Sequence, residues 1–442
     1  MNDLFYHFFH PTKTAEPIRH HFGRGINAHL NPNEPQLFNQ SIEAFREAQT
    51  LQAYQYYLQS LENFNADDSN QNIILRDEGE TLHFKLFQGS AIVHGSVTEK
   101  TFTAYAVITT CDMMNVAIKR HILERNDQLT YVSYCTDKKE LHLKLYLDNT
   151  TMTPQKIFYP LRELALNADY EKEYLHYYFK QPSLSDTEHL EYLDEQELHI
   201  KYKAMQNWVQ NCQKELEQLP SNDNNTTVSF TLLTLIFQID YLLVPRVDIM
   251  QEIFEKINSY FNNDERLLEQ KNDELLAFVE KLKNMTFTEF KPHFYKAKQT
   301  FAPTEHTTLD ELNQFIEGSL EKYRWFKQNR YTHVASTINH YIPLYILYNY
   351  GIHPSYKALL HLLIEVQNSD FFRALGYKEL YDPSKKSFNT SAIITIVKEA
   401  IEPYQEQFNN LTPFGEALNY TTLEEFSHSF ILNLKSLDYT EL

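Results

Sequence analysis

Over residues 81–174 the spacing of apolar side chains switches repeatedly between two residues and three or four. Leu82, Phe84 and Leu86 alternate with polar neighbours, the period of a strand with one buried face. Gln88-Gly89-Ser90 reads as a turn, residues 91–97 as a second strand, and 102–108, after Glu99-Lys100, as a third. The loops are too short for crossovers, so an antiparallel meander is expected. Asp112 is placed to cap a helix over 113–124, with Met114, Ala117, Ile118 and Ile122 on one stripe. Residues 128–134 alternate again. A polar turn at 137–140 then leads to a strand with Leu141, Leu143, Leu145 and Leu147 on one face. Thr153-Pro154 opens a final helix whose buried side carries Ile157, Leu161, Leu164 and Ala168.

On the N-terminal side, 33–64 reads as one helix covering the sheet, capped by Asn33, followed by a solvated link and a short edge strand at 72–76. Past residue 174 strand signals nearly vanish. After a break at 181–186, a long helix is expected over 188–219, then a polar loop. Residues 228–244 are almost all apolar, which predicts a helix buried on most sides and central to a second domain. Pro245 ends it. Helices over 247–261, 264–282, 310–329, 332–350, 355–368, 390–408 and 423–437 complete the chain. Their unequal spacing argues against a solenoid of matched repeats. The expected fold class is α+β: an N-terminal antiparallel sheet backed by helices, then an all-α helical domain. The divisions fall at 1–33 (an arm), 34–182 and 183–442.

The run Leu123, Glu124, Arg125, Asn126 with Leu129 and Tyr131, a polar hairpin, Leu141 to Asp148 in alternation, then Leu161, Leu164, Ala168 and Asp169, resembles the YbjN-like family. The resemblance covers roughly a quarter of the chain and lies in the order of elements and their packing positions. It implies the fold of type III secretion chaperones, association as a dimer, no catalysis, and a role in holding a partner polypeptide. No functional residue is carried over from it.

Composition narrows the function. The chain has 442 residues, enough for two or three domains, and 42% hydrophobic content to fill their cores. Acidic side chains outnumber basic ones 59 to 40, and most of the excess lies beyond residue 180. A surface with that balance repels phosphate backbones and anionic lipid, so neither nucleic-acid nor membrane binding is expected. Cys111, Cys135 and Cys212 have no metal-like spacing and fit a reducing compartment. With no signal-peptide pattern at the start and no uninterrupted apolar stretch of membrane-spanning length, a cytoplasmic location is expected.

Candidate chemistry is sparse. His7, His10, His20, His21 and His29 crowd the arm without the companion ligands that fix a metal geometry, so the arm is read as a docking segment. His333 and His340 share a helix face near Tyr341 and Tyr345, and Glu365 on a later helix would complete a metal or acid–base site; packed helix-interface histidines are the plainer reading. Asp240, inside the apolar 228–244 helix, must be paired or protonated if buried, with Arg246 or Lys256 as possible counterions. No nucleophile elbow, phosphate loop, dinucleotide fingerprint or zinc-type cysteine pattern occurs. The expectation is a non-enzymatic protein-binding module without cofactor or metal, whose partner is a polypeptide or a second copy of itself. The alternatives are an enzyme with a site built from His333, His340, Tyr345 or Asp240, or a homo-oligomeric scaffold.

Overall fold

The computed structural model describes residues 22–23, 34–62, 71–179, 186–219, 225–262, 265–329, 331–408 and 410–439. Asn33, the arm histidines, the break at 181–185 and most of the polar linkers lie outside these residues, and the side chain of His333 does too.

The fold is α+β with an N-terminal sheet. Helices α1 (Glu34–Arg46) and α2 (Thr50–Ser60) precede β1 (Ile73–Asp77), β2 (Leu82–Gln88), β3 (Ala91–Val97) and β4 (Thr101–Thr110). Then come α3 (Val116–Gln128), β5 (Ser133–Asp137), β6 (Glu140–Asp148) and α4 (Pro154–Phe179). The six strands form one antiparallel sheet in the order β1-β2-β3-β4-β6-β5. Alternation along the strands fills one face with Leu82, Phe84, Leu86, Leu141, Leu143 and Leu145, and α4 lies across that face on β2, β3, β4 and β6.

Three expectations are corrected here. The single helix over 33–64 is two packed helices, because Ala48 takes a left-handed φ of 59°. The chain then bonds back from Gln49 N to Ala44 O (2.8 Å) and from Ala48 N to Phe45 O (3.2 Å), a Schellman stop without its usual glycine. Asp112 does not cap α3. Residues Cys111–Met113 form a 3-10 turn, and Asn115 is the cap, accepting from Ile118 N at 2.9 Å. The strand expected at 128–134 begins later, at Ser133, since α3 runs through Gln128. The Glu163 carboxylate then holds the connection by accepting from Thr130 N (2.6 Å) and Tyr131 N (2.8 Å).

The second half is helical: α5 (Glu195–Glu217), α6 (Asn225–Leu243), α7 (Val247–Phe261), α8 (Leu268–Asn284), α9 (Leu309–Gln328), α10 (Thr332–Asn349), α11 (Pro354–Gln367), α12 (Ser369–Ala374), α13 (Thr390–Ile401) and α14 (Leu423–Lys435). The helix expected from 188 starts at 195, where Asp194 accepts from Glu197 N at 2.8 Å; Glu191–Tyr192 instead pair with Tyr295–Lys296. Helix α6 is central, against α5, α7, α8 and α10. It is long and apolar enough to cross a membrane, yet it is buried inside the fold. Of the arm, Phe22 is fully buried in this core, stacked on Phe372 at 5.0 Å and tilted against His361 at 4.8 Å.

The halves are joined by specific contacts. Phe301 is buried in the core beneath the sheet. The side-chain oxygen of Gln88 accepts from Thr300 N (3.0 Å) and Phe301 N (2.8 Å). Glu173 on α4 is buried, and its carboxylate takes hydrogen bonds from Val247 N (3.2 Å) and the Tyr295 hydroxyl. Burial pushes that carboxyl up, while Arg246, Tyr295 and Val247 act to keep it charged. Both Val244 and Val247 beside this junction have φ near +50°, a conformation β-branched residues rarely adopt.

Candidate functional site

The strand alternation that fills the inner face sends His83, Lys85, His94, Ser96, Thr103, Tyr105, His142, Lys144 and Tyr146 to the opposite face. One end of this outer face is closed. Phe87 packs on His189 (5.3 Å), Lys298 Nζ lies 4.9 Å above the Phe87 ring, and Ile92 is buried.

The anchor of that closure is the turn between β2 and β3. Gly89 has φ +55°, and a Cβ there would fall 2.0 Å from Asp169 Oδ2, so the turn accepts only glycine. Asp169 Oδ1 accepts from Ser90 N (2.6 Å) and Ser90 Oγ (2.8 Å), while Lys172 Nζ donates to the Ser90 carbonyl. Burial pushes the Lys172 ammonium down to about 8, against the pull of Asp186, Asp169 and Glu173. His189 bonds the Gly89 carbonyl at 3.0 Å and Gly89 N donates to Lys298 O at 2.8 Å.

Beyond the anchor the face is open. His94, Tyr105 and His142, from three adjacent strands, stack at 5.3 and 4.9 Å with interplanar angles of 21° and 14°. Ile74 is 45% exposed, Tyr105 38% and Tyr146 60%, so large apolar side chains stand open on β1, β4 and β6, with Lys85 and His94 between Ile74 and Tyr105. Its charges are rimmed: Glu78 takes Arg76 (2.9 Å) and His83 (3.5 Å), Glu140 takes His142 (3.0 Å), and Asp186 takes His94 (3.5 Å). The His94 contact holds the Asp186 carboxyl low. Lys85 and Lys144, in the middle, have no carboxylate partner among the described residues. The β5 edge is partly closed, since Asn126 Oδ1 accepts from Tyr134 N at 2.9 Å.

This surface offers aromatic stacking and two cations. Its one thiol, Cys135, lies opposite His142 in the strand register, and burial pushes it up, which keeps it protonated and a poor nucleophile.

The four residues singled out from the sequence lie on two packed helices, Asp240 on α6 and His333, His340 and Tyr345 on α10. Asp240 is buried on α6 and is not without a partner, whereas Arg246 is turned toward Glu173 and Tyr295. His340 on α10 is driven down to about 4 by burial, so its ring is neutral at ordinary pH. His333 is on the same helix. Tyr345 stacks on Phe315 (4.4 Å, 14°) and lines a separate cavity between helices. Among the described residues no three His, Cys, Asp or Glu side chains come together as a metal set.

The stacked His94, Tyr105 and His142 went unnoticed in the sequence because they come from three strands; the signal was there in the positions out of phase with the leucines. No family model matches this chain, and no curated protein does.

Proposed function

We propose that this chain is a non-enzymatic binding protein that holds a polypeptide segment on the open face of its N-terminal sheet. The observation that carries the reading is the exposure of Ile74, Tyr105 and Tyr146 on this face beside Lys85 and Lys144, which have no carboxylate partner among the described residues, in a chain whose net charge is −19. The matching partner is an extended segment with aromatic or aliphatic side chains and at least one acidic residue, its apolar groups against the rings and its carboxylate at Lys85 or Lys144. Docking on the face is favoured over strand addition because the β5 edge is partly capped. The resemblance to the YbjN-like family and its secretion-chaperone fold supports a holding role. The three free cysteines support a reducing, cytoplasmic setting.

The test is a photoreactive benzoylphenylalanine at Tyr146 in the native host, with the same group at Trp325, half-exposed on the helical half, as control. A polypeptide crosslinked from 146 but not from 325, and reduced roughly tenfold in yield by Lys85→Glu with Lys144→Glu, is the expected result. Absence of any crosslinked polypeptide, or equal capture from both positions, overturns it. Capture of a second copy of this chain would favour the scaffold instead.

A further inference from the structure

Helices α6, α9 and α10 and the end of α7 line a half-open cavity of about 410 Å³, within the usual range for small-ligand sites. Six of its thirteen lining residues are aromatic. Phe315 and Tyr345 lie parallel, and Phe230 meets Tyr341 edge-on at 5.0 Å. Ser229, Ser319 and Gln314 add a few polar atoms. Burial pushes the phenols of Tyr341 and Tyr345 up, the latter to about 12, so both are neutral hydrogen-bond donors.

Two features set this cavity apart from a packing defect. The first is charge. Lys322 is the one charged side chain in its lining, and its Nζ stands 5.4 Å from the Phe230 ring centroid with no carboxylate partner among the described residues. Among the described residues, none of the chain's acidic side chains lines this wall. The second is Gly318, within α9. A Cβ built there meets nothing within 4 Å, so steric need does not explain the glycine. Glycine inside a helix is destabilising relative to alanine. The helix gives up that stability where a side chain would enter the cavity.

We propose that this cavity binds a small planar aromatic molecule carrying one negative charge. The rings take its aromatic body and the Lys322 ammonium takes its anionic group. The proposal does not depend on the sheet face.

The experiment titrates the full chain with 2-naphthoate by calorimetry, with neutral 2-naphthamide of the same shape as comparator. The expected result is saturable one-site binding. Lys322→Gln and the neutral comparator should each weaken it roughly tenfold or more, the loss of a charge-assisted hydrogen bond. Gly318→Leu, which fills open space, should abolish it. Circular dichroism establishes that the variants are folded; if Gly318→Leu is not, Gly318→Ala takes its place with a partial loss expected. No saturable binding up to about 1 mM, binding indifferent to both substitutions, or amide bound as tightly as carboxylate each overturns the proposal.

Discussion

Glu365 in α11 is 7% exposed, and burial pushes its carboxyl up from 4.5 to about 8. The folded protein therefore holds this proton more tightly than the unfolded chain does. The stability this confers is complete below about pH 4.5 and is lost as the pH rises through about 8. Glu365→Gln removes the titration. In denaturant unfolding the variant should match the parent near about pH 5 and exceed it by on the order of 3 kcal/mol near about pH 9. An equal difference at both pH values would mean that the carboxyl is not protonated in the fold. At this scale the sequence was informative about burial and silent about partners. Asp240 was legible as a buried carboxylate, because α6 is apolar all round it. That Arg246 faces Glu173 instead was not legible, because the two meet only through the packing of α4 against α7.

Among elements, the break between α1 and α2 is the clearest case where local sequence misleads. Heptad-like apolar positions run from Phe38 to Leu61 without a glycine or proline, so nothing marks a stop. The stop exists because both helices bury their apolar sides better as a packed pair than as one rod, and Ala48 bears the left-handed turn. An L-residue with a Cβ is strained there by about 1 kcal/mol, and Ala48 is exposed, so nothing else depends on its methyl group. Ala48→Gly should therefore raise stability by about 1 kcal/mol and Ala48→Val should lower it by at least as much. Thermal and urea unfolding of the two variants would measure this, and a destabilising glycine would contradict it. The strands, by contrast, were legible nearly to the residue wherever one face is buried, since a shift of one position would turn the leucines of β6 to water.

For the whole molecule, the contacts between the halves predict how it unfolds. Both tryptophans, Trp208 and Trp325, lie in the helical half and report on it alone. A fluorophore attached to Cys135, after replacement of the other two cysteines, reports on the sheet. The parent should show coincident transitions by both probes, because Phe301 fills the sheet core and Gln88 binds its backbone. Phe301→Ala removes a buried aromatic ring, typically worth about 3 kcal/mol, and should separate the sheet transition from the helical one. Coincident transitions in the variant would place the coupling elsewhere, with Glu173 and Tyr295 the next contact to remove.

Alternation and helical spacing, read from the chain alone, determined that a strand-rich module precedes a helical one, which side of each strand is buried, and that α6 is central. These follow from local periodicity, which any burying environment enforces. Only the tertiary structure decided what the other sides do. It closed one end of the sheet's outer face with His189 and Lys298, left Tyr105 and Tyr146 open, and set Lys322 over a ring-lined cavity. Such juxtapositions join residues that are far apart in the chain, and the pairing is chosen by packing energy, on which the spacing of side chains within one segment carries no information.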